Sequence, residues 1–568
     1  MYKAHHYTIQ AVLFWLLLSV IYFIVYAETL RWQEGNSIFL YSSEMLGQLF
    51  SNAPGGTNIL SNFLLQFFQS SILGSLILSG VLTLCSFPAW LIAKKFQTRW
   101  VGLCFFPTMF FATVYPLSIS PALSSLFFLS LIAIYLYINS RITRGIFAIT
   151  SCIVGYILLP FVVLLILSLI YAMIELFFYK VKRNILYSIF SLVIIGFEPS
   201  IASNLFAFIP YDERYMLSVD GKEPIWTFIT YLLPLIILFL SHKLQIKYKD
   251  IYSYGITLLL LSIPVYSLST NENAKSYEES YKYARMAENG KWDELLNEFS
   301  DEDYSSQLKL SYALLAESAL GTLPEHLFRY PITSENSFLF QHVYEPYFCN
   351  FNRLFYKNIN VSDEAFHQAF EYGTMSPNGI CFKSLRYMID DALTAKDIPL
   401  AQKYIYMLSR SSCHDVWLNS RREQLDLIKQ QKQEPLPLRS TSFIGLYKFG
   451  SEMIRLLQED PTNIRKLDYL LCGLLLNKEL DKFEIIIKSF PIYKGKTLPK
   501  AYAEVAAMLK ASGKDLGIDF SYSKQYDNDF SEFYHLYEKG EIQNISKFQG
   551  TYWAYYMYAT INEEQQAN

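Results

Sequence analysis

The 568-residue sequence lacks most of the features that announce an enzyme. It has no GxxxxGK[ST] or GxGxxG loop to cradle phosphates, no HExxH or CxxC to hold zinc, and no GxSxG nucleophile turn. Its eight histidines are scattered apart from His5-His6, so no metal site is expected. Cysteine is sparse: Cys85, Cys104 and Cys152 lie in apolar runs, and Cys349, Cys381, Cys413 and Cys472 lie in polar sequence. The last four leave open both disulfide pairing and free core thiols. The net charge is −3 with no basic cluster, which excludes nucleic acid as a partner.

Charge is scarcest in the first half. Residues 1–268 carry 15 Lys/Arg and 10 Asp/Glu, and residues 269–568 carry 33 and 41. Long apolar runs occupy the difference. A bilayer core of about 30 Å needs roughly 20 apolar residues in a helix. The runs 8–26, 71–93, 100–115, 122–138, 185–197, 226–241 and 251–268 meet or approach that length. The stretch 145–179 is too long for one crossing, and Pro160 divides it into 145–158 and 160–178. Nine crossings are expected.

With the N-terminus in the cytoplasm, twelve Lys/Arg of this half fall on the cytoplasmic side, and only Arg31, Arg214 and Lys222 fall outside. That is a positive-inside distribution, and it places residues 269–568 outside the cytoplasm. The first run also reads as a signal peptide cleaved after Ala27. Its length and its single basic flank, Lys3, favour a retained span, and the topology is the same either way.

The second half is written in helical period. Leu385, Met388, Ile389, Ala392 and Leu393 fall at i, i+3, i+4, i+7 and i+8, and Leu467, Leu470, Leu471, Leu474 and Leu475 repeat the spacing. Helices are expected in pairs with short turns: 277–288 with 292–299, 382–395 with 399–410, and 466–476 with 480–490. Trp292, Ile389 and Leu471 are expected between helices. The pairs resemble tetratricopeptide units, and a generic helical array is the other reading. Residues 430–442, with Pro435 and Pro437, read as a break between two sub-arrays.

The loops of the first half hold the acids. Loop 28–70 contains Glu28, Arg31, Glu34 and Glu44, a Pro54-Gly55-Gly56 turn, and the aromatics Trp32 and Phe39, which read as membrane-belt anchors. Segments 38–50 and 59–68 read as interfacial amphipathic helices. A second external loop, 198–225, carries Glu198, Asp212, Glu213 and Arg214. Glu175, near a cytoplasmic helix end, is expected to snorkel. Pairing of Arg31 with Glu28 or Glu34 is the bland reading of the first-loop acids.

A long first external loop with early acids, the Phe63–Phe68 run Phe-Leu-Leu-Gln-Phe-Phe, a second span containing Gly74 and Gly80, the Tyr115–Ser120 link and paired short helices at Pro160 resemble the GT-C class of polytopic glycosyltransferases. The resemblance covers residues 1–270. It implies a polyprenyl-phosphate-linked sugar as donor and an acid of the first loop as base or metal ligand: Glu34 first, Glu44 second, with Asp212 and Glu213 as second-loop acids. A divalent metal is implied only under this reading. No carboxylate stands at Pro121–Ser124, where the class often has one. The whole chain also resembles a Bacteroidetes family of membrane proteins with this two-part layout.

The expected architecture is therefore all-α: a polytopic transmembrane bundle at 1–270, then a soluble helical-repeat region with sub-arrays at 271–429 and 443–568. The leading functional reading is an inner-membrane protein that presents the repeat region to an envelope protein or peptide, with no cofactor. Glycosyl transfer is the alternative, and transport the third reading.

Overall fold

The computed structural model describes residues 4–97, 101–205, 215, 219, 221–241, 250–299, 306–340, 345–430, 449–540 and 546–559. Among these the secondary structure is helical without a sheet, apart from the isolated bridges Val219–Lys222 and Thr497–Ser521. The chain forms two compact units. The first comprises Met1–Glu279 together with Cys381–Lys383 and Tyr406–Asn419; the second comprises Ser280–Ile380, Ser384–Ile405 and Ser420–Asn568.

Among the described residues of the first unit six helices are long and apolar enough to cross a membrane: Ala4–Val25 (α1), Ser71–Lys95, Ile119–Tyr137, Phe161–Tyr179, Ile185–Leu205 and Tyr252–Thr270. They mark a multi-pass membrane protein. The expected count of nine is reduced because three of the runs lie on shorter helices, Val101–Val114, Arg141–Gly155 and Pro224–Leu240. At about 1.5 Å per residue, 15 residues cover only about 22 Å. The division at Pro160 is present: one helix ends at Gly155 and the next begins at Phe161. Pro160 stands just before it, where its missing N–H is harmless.

Small and hydroxylated residues join the apolar helices, as expected where lipid removes the hydrophobic drive between them. Ser19 of α1 meets Ser79 at 2.5 Å, and Trp15 Nε1 donates to the Leu76 carbonyl at 2.9 Å. Ser253 accepts from the Gly102 amide at 2.9 Å and from Gln10 at 3.2 Å, and Thr257 donates back to Gln10 Oε1 at 3.0 Å. Glu175 does not snorkel. It is fully buried and takes Arg144 Nε at 2.6 Å and Nη2 at 3.3 Å, with the Tyr135 hydroxyl at 2.9 Å. Arg144 also lies 3.7 Å over the Tyr179 ring, so a charge assigned to a cytoplasmic loop is packed away beside its counter-charge.

The second unit is built of helix pairs closed by one repeated device. Residues Gly290, Gly321, Asn360, Lys396, Lys478 and Gly513 all adopt positive φ, from 55° at Lys396 to 79° at Gly321. The next amide in each case reaches back five residues: Lys291 to Met286, Thr322 to Glu317, Val361 to Tyr356, Asp397 to Ala392, Glu479 to Leu474 and Lys514 to Leu509, at 2.8 to 2.9 Å. This is the Schellman closure, which satisfies carbonyls the helix end leaves open. Beneath it the heptad-spaced leucines point inward, and Leu385, Ile389 and Leu471 are fully buried, although Trp292 is only half-buried. The expected break at 430–442 lies, from 431 on, outside the described residues.

Candidate functional site

The helix Ala27–Asn36 (α2) follows α1 after a single residue, Tyr26. Its open N-terminal amides are capped from far along the chain: Glu278 accepts from the amides of Glu28 and Thr29 at 2.7 Å each and from the Thr29 hydroxyl at 2.6 Å. A carboxylate there complements the helix dipole. Arg31 pairs with Glu28 at 2.6 Å, as the bland reading supposed. Glu34, one turn further on, faces inward and is 2% exposed.

The partner of Glu34 is His414, whose Nε2 lies 2.9 Å from Oε1. The imidazole is fully buried, with the Phe382 ring 4.4 Å from it and the Ser411 hydroxyl 2.8 Å from Nδ1. Backbone bonds fasten the surrounding segments: Phe382 N to Ser37 O at 2.9 Å and Tyr41 N to Arg410 O at 2.8 Å. Ser412 adds a bond from its hydroxyl to the Tyr41 hydroxyl at 2.8 Å and one from its amide to Gln66 at 3.3 Å. Ser411 gives its hydroxyl hydrogen to the Leu408 carbonyl at 2.8 Å, which leaves its oxygen to accept from Nδ1. The arrangement holds the segment 406–419 down on the first loop.

Trp32 and Phe39 are not belt anchors. Trp32 lies under the Lys383 ammonium at 4.1 Å, and Phe39 is 5% exposed. Gly35 permits this approach, since a Cβ there would come 3.2 Å from the Lys383 side chain. The start of the 38–50 segment is not helical: Ile38, Phe39 and Leu40 are buried in irregular chain, Tyr41 is exposed, and helices occupy Ser43–Ser51 (α3) and Gly55–Leu65 (α4). Glu44 stands exposed on the first turn of α3, its carboxylate held below the usual range chiefly by its own backbone amide. Glu34 meets His414, whereas Glu44 is engaged by Ser42, Ser43 and Arg410. Asp212 and Glu213 lie outside the described residues. Glu198 is not in a loop: the helix Ile185–Leu205 continues through it.

All seven cysteines are free thiols. Cys349 is pushed up to about 12 by burial, and burial next to Glu34 and Asp415 raises Cys413. Among the described residues no group of three or more His, Cys, Asp or Glu is placed to hold a metal ion. Sequence reasoning missed His414, and no local signal marks it: the Glu34 contact spans 380 residues.

The second unit carries a cleft of about 810 Å³. Met508, Leu509, Phe530 and Met557 give it an apolar floor, and Lys478, Lys482 and Lys514 stand on its rim beside Glu479 and Asp481. Lys482 pairs with Glu479 at 2.7 Å, and Lys514 lies 3.4 Å from Asp481. Lys478 has a carbonyl, that of Ala559 at 2.6 Å, as acceptor.

A protein-family model described as a family of unknown function (DUF6057) matches residues 4–559. No curated protein and no solved structure matches the chain.

Proposed function

The chain belongs to the DUF6057 family, and we propose that it is a non-catalytic membrane protein that presents its second unit as a helical-repeat interaction domain, tetratricopeptide-like in its paired helices, outside the cytoplasm of an inner membrane. The occupancy of Glu34 carries this reading. The acid best placed for chemistry by the first-loop pattern is buried, and its carboxylate is engaged by an imidazole of its own chain. An acceptor has no access to it without displacing His414. The Met- and aromatic-lined cleft with its lysine rim suits a peptide of an envelope protein that offers an apolar side chain and an acidic residue.

One feature favours polyprenyl-phosphate-sugar transfer as a second reading: a carboxylate–imidazole pair is able to move a proton, and it sits at the first-loop position where the GT-C resemblance puts its acid. Glu34→Gln separates the two readings. General-base catalysis contributes roughly 10²–10⁴-fold, so a transferase would lose function at normal protein level. The scaffold reading expects full complementation of a deletion strain per molecule, with a modest loss of stability from the broken pair. Loss of function at an unchanged protein level refutes it.

A further inference from the structure

Buried polar groups of the first unit are matched with care: Gln10 with Ser253 and Thr257, Glu175 with Arg144, Glu34 with His414. A few neutral groups, such as the Thr83, Ser124 and Ser188 hydroxyls, lack a partner, and among the described residues Glu198 is the one buried carboxyl with both oxygens unmatched. It lies on a membrane-crossing helix, is 9% exposed, and neither carboxyl oxygen has a hydrogen-bond partner. The titratable groups that sense it from the packed helices are the Cys152 thiol and the Tyr156 phenol, with Tyr215 beyond Tyr156, and none of these is a cation. Pro199 follows directly inside the helix, so the Ile195 carbonyl loses the amide that would normally bond it. A weak point in the helix therefore adjoins the unmatched acid.

A bare carboxylate in such surroundings is costly, and ionisable groups kept inside a membrane mark ion and proton paths. Space-filling alone has cheaper solutions, since a leucine or glutamine occupies a similar volume without a charge. We propose that Glu198 is a proton-binding site of the membrane unit, loading and releasing a proton at the Pro199 break and so giving this unit a proton-linked step. The ligand is the proton itself. This goes beyond the scaffold reading, and neither depends on the other.

The test is covalent labelling of the full chain in phosphatidylcholine vesicles with dicyclohexylcarbodiimide. This reagent adds to a protonated carboxyl. The acid proton moves to one carbodiimide nitrogen, the carboxyl oxygen bonds the central carbon, and the acyl group then shifts to nitrogen, leaving an N-acylurea that retains every atom of both partners. Peptide mass spectrometry should place the adduct on Glu198, with yields at the paired acids Glu175 and Glu34 lower by about tenfold or more. The yield at Glu198 should fall several-fold between about pH 6 and about pH 9 as the proton is withdrawn. Glu198→Gln should abolish that adduct, and Glu198→Asp, which keeps a carboxyl, should restore it. Equal labelling of Glu175, a yield at Glu198 independent of pH, or no adduct at Glu198 in either the native or the Asp form overturns the proposal.

Discussion

Asp468 offers the sharpest quantitative test of the second unit. Its side chain is buried, and Oδ1 accepts from the hydroxyls of Tyr493 at 2.6 Å and Tyr502 at 3.0 Å. Burial pushes the carboxyl from its ordinary 3.8 up to about 7, against the pull of the two tyrosines. The folded chain therefore keeps a proton that the unfolded chain releases. Stability from this group is complete below about pH 4, falls as the pH rises, and levels off above about pH 7. At about 1.4 kcal/mol per pH unit, the loss across that window is about 4 kcal/mol. Asp468→Asn cannot ionise and still accepts a tyrosine hydroxyl, so it should lack this slope. Chemical unfolding of the detergent-solubilised chain, followed by its helical circular dichroism, measures both proteins at several pH values. Native and variant stabilities should converge or cross as the pH rises from about 4 to about 7. Parallel profiles would refute the reasoning.

Other outcomes follow from single contacts. Leu471→Ala empties a fully buried site and should cost about 2–5 kcal/mol in the same unfolding measurement. Glu175→Gln leaves Arg144 buried without its counter-charge and should lower stability in detergent by about 3–5 kcal/mol, while Glu175→Gln with Arg144→Met should recover part of the loss. Gly321→Ala meets open space but a φ of 79°, so it should cost about 1 kcal/mol from backbone strain alone; a neutral result in thermal melts would remove the Schellman argument.

What the sequence made legible was local. The 3.6-residue spacing of leucines is enforced by one helix at a time, and Pro160 breaks its helix for reasons contained in its own ring. The turns at Gly290, Lys396 and Lys478 were visible for the same reason. Partnerships across the fold were not. Arg144 and Glu175 read separately as loop and snorkelling charges, because nothing in either neighbourhood reveals a contact 31 residues away. Trp32 and Phe39 carry the composition of a membrane belt, yet they are covered by segments of their own unit, Trp32 by Lys383. The Glu34–His414 pair is the extreme case, since its two halves come from regions of opposite composition.

The first unit's discontinuity has a consequence for the order in which the protein is made. At roughly 5–20 residues per second, a ribosome that has just inserted Glu34 needs about 20–75 s to deliver the imidazole 380 residues downstream. For that interval the first loop waits with Ser37, Tyr41 and Glu34 unfastened, while most of the helices that precede residue 406 have already emerged. The membrane half is thus begun first and finished late. A chain severed at residue 270 would hold that unfinished state permanently, because the only copy of the fastening segment would be on the other piece.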